Sequence, residues 1–320
     1  MLVSVAVPTC DRPHALDRCL ASLSVIESRD WELLVIDQSD GDESRQVAQK
    51  WGKKIRQLVY LRLEEKNASA ARNLAIETAR GEVVAFIDDD CTISPDPKWL
   101  DHVGDAFERE PEANLIFGSV TAGPHDATTS FLGGYKVQRG RRLRGSLDTL
   151  KVRAIGASMS LRLGSGKRPG FDLLLGPGAR FRSTQDWDYT YRVLARGGLV
   201  VETPDIQVTH HGARPYAGGA ASAKWRDYLY GTGACHVKLL RCGQWIMLAI
   251  ILDRLVRSIG MIRPHRVFLR RGTHFGRLLM YVRGLRDGLR VPVDRRAGVF
   301  LSGPETAAQT WPPEPLGTHA

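Results

Sequence analysis

The chain has 320 residues, 43% of them hydrophobic and 25% charged, which is ordinary for a soluble protein with room for one large domain or a domain and an appendage. Its net charge of +10 is unevenly placed, because residues 224–296 hold 16 Lys and Arg against 4 Asp and Glu, whereas residues 1–223 hold 29 of each. The five cysteines are odd in number and contain no C-x-x-C pair, so they suggest neither a disulfide framework nor a zinc site and fit a reducing cytosol best.

The apolar run from Leu2 to Val7 reads as a strand and not as a signal peptide, because no basic segment precedes it and Asp11-Arg12 follow at once. A helix is expected from Asp11-Arg12-Pro13, with Asp11 as cap, Pro13 in the opening turn, and Leu16, Leu20 and Leu23 at helical spacing. Further strands are expected at Glu32 to Ile36, Leu58 to Leu63 and Val83 to Ile87. The intervening helices run from about Asp42 to Trp51 and from about Asn67 to Ala79, with Gly81 placed to end the last. This alternation predicts an α/β fold, a mainly parallel sheet flanked by helices, whose ligands bind beyond the carboxyl ends of the strands. Three polar clusters share that end: Pro8-Thr9-Cys10-Asp11, Asp37, and the triple Asp88-Asp89-Asp90.

Three adjacent carboxylates at the exit of a buried strand repel one another unless a cation or hydrogen-bond donors lie between them. Later in the chain, Gly133 to Gly145 reads as an exposed, mobile loop and Arg153 to Leu163 as a strand. A Gly- and Pro-rich stretch from Gly164 to Arg182 leads to a helix starting near Thr184, with Asp188 and Arg192 spaced to pair.

Taken in order, Val7-Pro8-Thr9-x-Asp11-Arg12, Val35-Ile36-Asp37, Asn67-x-x-x-Ala71-Arg72-Asn73, Ala79-x-Gly81 and Phe86-Ile87-Asp88-Asp89-Asp90 resemble the family 2 glycosyltransferases of the GT-A fold. The likeness continues through Gly156-Ala157-Ser158-Met159, Gly176-Pro177-Gly178, Asp186-x-Asp188, Arg192 and His210, covering about residues 1–215. It implies an inverting enzyme that moves a sugar from a UDP-, GDP- or dTDP-linked donor to a glycan, lipid-linked or small-molecule acceptor. By the resemblance Asp90 holds Mn²⁺ or Mg²⁺, joined by His210, for which His211 is the alternative, and Asp88 meets the ribose or the metal's water shell. Asp89 also falls in the donor site, its role open. Pro8, Thr9 and Asp11 line the nucleotide site with Asn67, Asp37 contacts the base, and Arg72 pairs with the diphosphate. Asp186 is the catalytic base, on a segment preceded by a Gly-rich loop able to close over the donor. Ser69 stands where the family usually has Gly, and Gln185 where it often has Glu.

The rival enzyme is a haloacid-dehalogenase-like phosphatase, since Asp88-x-Asp90-x-Thr92 after an apolar strand fits D-x-D-x-T; a catalytically inactive sugar-nucleotide-binding protein is the other alternative. The domains expected are a transferase domain at 1–223, a basic amphipathic helical region at 224–296 and a disordered tail at 297–320. Trp245 to Leu252 is too short to span a bilayer, which takes about 20 apolar residues. Apolar positions Leu248, Leu252, Leu255, Ile259 and Ile262, then Phe268, Phe275, Leu279 and Val282, alternate with Arg263, Arg270 and Arg277. Two readings fit: helices packed on the domain with a solvated basic face, or helices lying on an anionic membrane surface. The location expected is cytoplasmic, peripheral at the inner face of the membrane. No nucleic-acid-binding module is recognised.

Overall fold

The computed structural model describes residues 1–27, 30–93, 96–153, 155–164, 170–260 and 271–301. Strands and helices alternate at first: β1 (Val3–Thr9), α1 (Pro13–Leu23), β2 (Trp31–Asp37), α2 (Glu43–Gly52), β3 (Leu58–Arg62), α3 (Ala68–Thr78) and β4 (Val83–Ile87). Then follow β5 (Cys91–Ile93), α4 (Trp99–Arg109), β6 (Ala113–Ala122), the short β7 (Ser130–Phe131), β8 (Arg141–Arg144), β9 (Ser158–Arg162), α5 (Gln185–Ala195) and β10 (Leu199–His210). Three helices follow, α6 (Ala220–Arg241), α7 (Ile246–Gly260) and α8 (Arg271–Leu289), and then a short hairpin that pairs Val293–Asp294 with Val299–Phe300.

The sheet order is β3-β2-β1-β4-β9-β6-β10-β5, with β8 also paired to β10. β1 to β4, β6 and β10 run in one direction, and β9, β5 and β8 oppose them, so the sheet is mixed but mostly parallel. Side chains alternate across the strands, which divides each one between two cores. Val3, Val5, Val7, Leu33, Val35, Val83, Ala85 and Ile87 meet Leu16, Leu20, Trp51, Trp99 and Phe107 from α1, α2 and α4. Ala6, Leu34, Ile36, Val84 and Phe86 meet Ala71, Ala75, Tyr189, Leu194 and Leu239 from α3, α5 and α6. Being buried on both faces, β4 is apolar throughout and β2 is apolar from Leu33 to Ile36.

Several expectations change. Asp11 does not cap α1: Arg12 occupies the cap position and its side chain makes no capping bond, while Asp11 takes φ +53° and directs its carboxylate elsewhere. Gly81 does not end α3 in a left-handed turn; a Cβ there would lie 2.7 Å from Ser4 N and 2.9 Å from Leu2 O, so glycine permits the backbones to pass. The segment read as a loop at 133–145 contains β8, held to β10 by the ion pair of Arg141 with the fully buried Glu202, and β9 is shorter than the strand expected at 153–163. The boundary at 223/224 falls inside α6, and Phe300, assigned to the tail, is buried in the second core, its N–H donating to Asp172 over 2.8 Å. Residues 302–320 of that tail, the loop positions 165–169, and Ile262, Arg263, Phe268 and Arg270 lie outside the described residues. Among the described residues no helix is long and apolar enough to cross a membrane.

Candidate active site

Asp88, Asp89 and Asp90 occupy the tight turn from β4 to β5, closed by the Cys91 N–H donating to the Asp88 carbonyl at 2.9 Å. Every carboxylate has a partner. Arg12 Nη1 donates to Asp89 at 3.1 Å and Asp90 at 3.2 Å, Thr9 Oγ1 donates to Asp89 at 2.8 Å, and Arg72 Nη2 donates to Asp88 at 3.1 Å. His210 Nε2 lies 3.4 Å from Asp90, because β5 pairs with β10 and sets Cys91 opposite His210.

The three acids differ in environment. Burial pushes Asp89 up to about 6, aided by the charge of Asp90 and opposed by Arg12. Burial acts upward on Asp90 too, but the His210 hydrogen bond and the charges of His210 and Arg12 outweigh it and hold Asp90 below the usual carboxylate range. His210 is lowered by burial, yet Asp90 raises it above the ordinary imidazole value. Asp88 is the exposed member of the triple, its side chain 40% accessible.

Asp90, Cys91 and His210 can bring one ligand atom each within 4.8 Å of one another. Burial and the neighbouring Asp88 push the Cys91 thiol up, so it stays protonated and is a weak ligand. The oxygen of Asp90 and the imidazole of His210 suit Mn²⁺ or Mg²⁺ kept partly hydrated. Gly212 leaves room beside them, since a Cβ there would lie 2.3 Å from Asp90 Oδ2 and 2.9 Å from His210 Nε2. The residues therefore fit a divalent cation. His211 turns away to Thr92 Oγ1 at 2.9 Å.

Asp186 opens α5 and is held from both sides: Gly156 N–H donates to Oδ2 and Trp187 N–H to Oδ1, each at 2.9 Å. The β4–β9 pairing sets Ile87 opposite Ser158, so Asp88, leaving one strand, and Gly156, entering the other, share one end of the sheet. Asp186 thereby stands at the end that bears the triple Asp. From α6, Tyr228 lies near the same acids, and the desolvating surroundings and the charge of Asp186 raise its hydroxyl, with Asp88 and Asp90 adding to the shift, although the residue is 41% exposed.

A Cβ at Gly156 would lie 2.7 Å from Asp186 Oδ2. Gly156→Ala is therefore expected to displace Asp186 and lower turnover about 100-fold, the scale of an ångström misplacement. Steady-state kinetics beside a thermal melt would check this, and an unchanged turnover would count against that contact.

Other expected site residues also have partners in the scaffold. Asp37 is fully buried and accepts from Tyr60 Oη at 2.7 Å, Ser39 N at 2.9 Å and Ser39 Oγ at 2.5 Å. Asn67 caps α3, accepting from Ser69 N and Ala70 N, and donates to Leu173 O at 2.9 Å. Arg72 is not a surface residue: it lies between the rings of Phe86 and Phe171, at 5.6 and 5.5 Å, with Asp88 as its ionic partner. Thr9 is buried against Asp89, whereas Pro8 is half-buried and Asp11 exposed at the rim, bound by Lys66 at 2.6 Å and by Asp40 N–H at 2.9 Å. The Gly-rich loop is docked on α3, through Ser69 Oγ to Leu175 O at 2.6 Å and Ala68 N to Pro177 O at 3.0 Å. Four positive φ values, at Gly176, Gly178, Arg182 and Thr184, mark its strained path into α5. Arg12, Gly156 and Gly212 were not expected as site residues; Arg12 and Gly156 lie within motifs quoted above, but nothing local signals what they touch.

Residues 4–159 match the family model described as Glycosyl transferase family 2. Glycosyltransferase AglE of Haloferax volcanii is 31% identical over 102 residues, 31% of this chain and 33% of that protein, so the chain spans about a third of that relative. Among solved structures, S. aureus TarS in complex with UDP-GlcNAc superposes with a TM-score of 0.59 at 17% identity, covering 91% of this chain and 81% of that one. Mannosyltransferase PcManGT from Pyrobaculum calidifontis, in complex with GDP-Man and Mn²⁺, gives 0.57 at 14% identity, covering 90% and 86%. At these identities the two structures show a shared fold.

Proposed function

This chain belongs to glycosyl transferase family 2 and has the GT-A fold, and from that premise we propose that it transfers a sugar, with inversion, from a nucleoside-diphosphate sugar to an acceptor hydroxyl. The observation that carries the reading is the placement of Asp186, held by Gly156 N–H, at the same sheet end as Asp88 and Asp90. An inverting transfer needs a base opposite the departing diphosphate. Asp186 takes the proton of the attacking hydroxyl, and Asp88, the exposed acid of the triple, meets the ribose or the water shell of the cation. Asp90 and His210 hold Mn²⁺ or Mg²⁺, which when bound supplies a Lewis acid for the charge developing on the leaving nucleoside diphosphate.

UDP-GlcNAc bound to one structural neighbour and GDP-Man with Mn²⁺ bound to the other support a nucleotide-sugar donor and a divalent ion. Asp37, Asn67, Arg72, Asp89 and Thr9 act by building the walls, while Pro8 and Asp11 lie at the rim of the nucleotide site. A glycan, lipid-linked or small-molecule hydroxyl accepts the sugar, in the cytoplasm at the inner face of the membrane. The phosphatase reading is not favoured, since D-x-D-x-T here follows three strand-helix units in a family 2 sheet.

Calorimetric titration with UDP, GDP and dTDP tests the reading. One of them should bind at least about tenfold more tightly with Mn²⁺ than with chelator, and Asp90→Ala should abolish that difference. A panel of nucleotide sugars with mass detection then identifies the donor. Release of inorganic phosphate from simple esters without an acceptor would restore the phosphatase, and cation-enhanced nucleotide binding without any transfer would point to the inactive binder.

A further inference from the structure

Helix α7 has apolar residues on two sides. Met247 and Ile251 point inward and are buried in the core. Trp245, just before the helix, and Leu248, Leu252 and Val256 form a second stripe at i, i+3, i+7 and i+11, and they are 75%, 46%, 53% and 67% exposed. The 3₁₀ segment Ser146–Lys151, which contacts α7, extends this ledge with Leu147 and Leu150, 72% and 49% exposed. A contiguous apolar ledge of this kind marks an interaction site more often than a bare surface.

Beside the ledge opens a cavity of about 720 Å³ that Leu147 and Trp245 line together with Arg196, Arg295 and Arg296. Arg295 and Arg296 are exposed and form no ion pair among the described residues. Arg196 donates only to the carbonyls of Arg296 and Ala297, at 3.0 and 2.8 Å, so its charge also lacks a described carboxylate partner. A soluble anion would answer the arginines and leave the ledge in water. A second protein copy would cover the ledge while bringing the same cations with it.

We propose that this face seats the protein on an anionic phospholipid bilayer, with lipid phosphates at Arg196, Arg295 and Arg296 and with Trp245, Leu248, Leu252 and Val256 in the acyl boundary. One occupant then satisfies both halves of the surface. The stripe runs about 16 Å along the helix, at 1.5 Å per residue, which suits a helix lying in the interface plane. An aromatic ring at its start and arginines beside it are residues that favour that depth.

The full-length chain is sedimented with vesicles of phosphatidylcholine alone and of phosphatidylcholine mixed with phosphatidylglycerol, without donor, so the result is independent of sugar transfer. Binding is expected to the mixed vesicles only and to weaken as salt rises. Leu252→Glu with Val256→Glu should weaken it about tenfold or more, and so should Arg295→Glu with Arg296→Glu. Both pairs are exposed, and an unchanged nucleotide titration and thermal melt would show that each variant is folded. Should a variant misfold, the lipid and salt dependence of the unaltered chain decides. Equal binding to both vesicles, or to neither, would overturn the proposal. So would a dimer in light scattering that Leu252→Glu dissolves, or saturable binding of inorganic phosphate at the cavity without vesicle binding.

Discussion

Replacing Asp186 with asparagine is expected to lower the turnover of sugar transfer by about 10²–10⁴-fold, the usual contribution of a general base, while nucleotide affinity stays nearly constant. Asparagine has the shape of aspartate, and its amide oxygen can still accept from Gly156 N–H, which now lies 2.9 Å from Oδ2. The amide nitrogen then faces Trp187 N–H, where Oδ1 had accepted, and cannot take up a proton. The loss should therefore appear in kcat, with the fold and the binding of nucleotide retained. Asp90→Ala gives the contrasting pattern, because it removes the carboxylate beside His210 and so the cation-dependent share of nucleotide binding. Asp186→Asn transferring sugar at the parent rate would remove the base from this account.

Lys238→Met is expected to destabilise the protein by about 3–5 kcal/mol, the cost of breaking a buried ion cluster on one side. The Lys238 ammonium is fully buried, 2.7 Å from Asp172 and 2.6 Å from Asp188, and Arg192 Nε donates to Asp188 at 2.9 Å. Methionine fills much the same volume but leaves Asp172 without its cation. Denaturant unfolding would show a lower midpoint at constant slope. Substituting Asp172 as well should cost less than the two single losses added, because the two residues form one contact. An unchanged midpoint for Lys238→Met would overturn the assignment.

The cluster also has a pH signature. Burial acts to lower the Lys238 pKa, but Asp188 and Asp172 outweigh it and raise the value above the ordinary 10.5. A raised amine contributes stability that is present in full below the unfolded pKa and is lost as pH climbs through the folded one. The parent should lose stability on that alkaline limb, and Lys238→Met should lack this component. Because the cluster joins α6 to α5, whose first turn carries Asp186, the C-terminal helices belong to the support of the site.

Much of the first half was legible in the chain. Val83 to Ile87 lies where the apolar run placed it, and Asn67 sits before its helix as a capping residue should. The i, i+4 spacing of Asp188 and Arg192 forms a pair within one helix. The resemblance singled out Asp186 and Asp90. Less legible was β8, because a short Arg-rich edge strand flanked by Gly140 and Gly145 has no apolar alternation, and only Glu202 of β10 supplies the partner for Arg141.

What the sequence determined by itself is what depends on neighbours in the chain: the period-two burial of the strands, the helical spacings, the apolar strand ending in three carboxylates, and the charge imbalance of the C-terminal third. The tertiary structure alone decided how those carboxylates are divided. Arg12 reaches Asp90 across 78 residues and Thr9 reaches Asp89 across 80, and together with His210 on Asp90 and Arg72 on Asp88 these contacts leave Asp89 and Asp90 buried and Asp88 the most accessible of the three. Local pattern carries no record of such partners, because a charge pairs through space and only the packed sheet sets which groups meet.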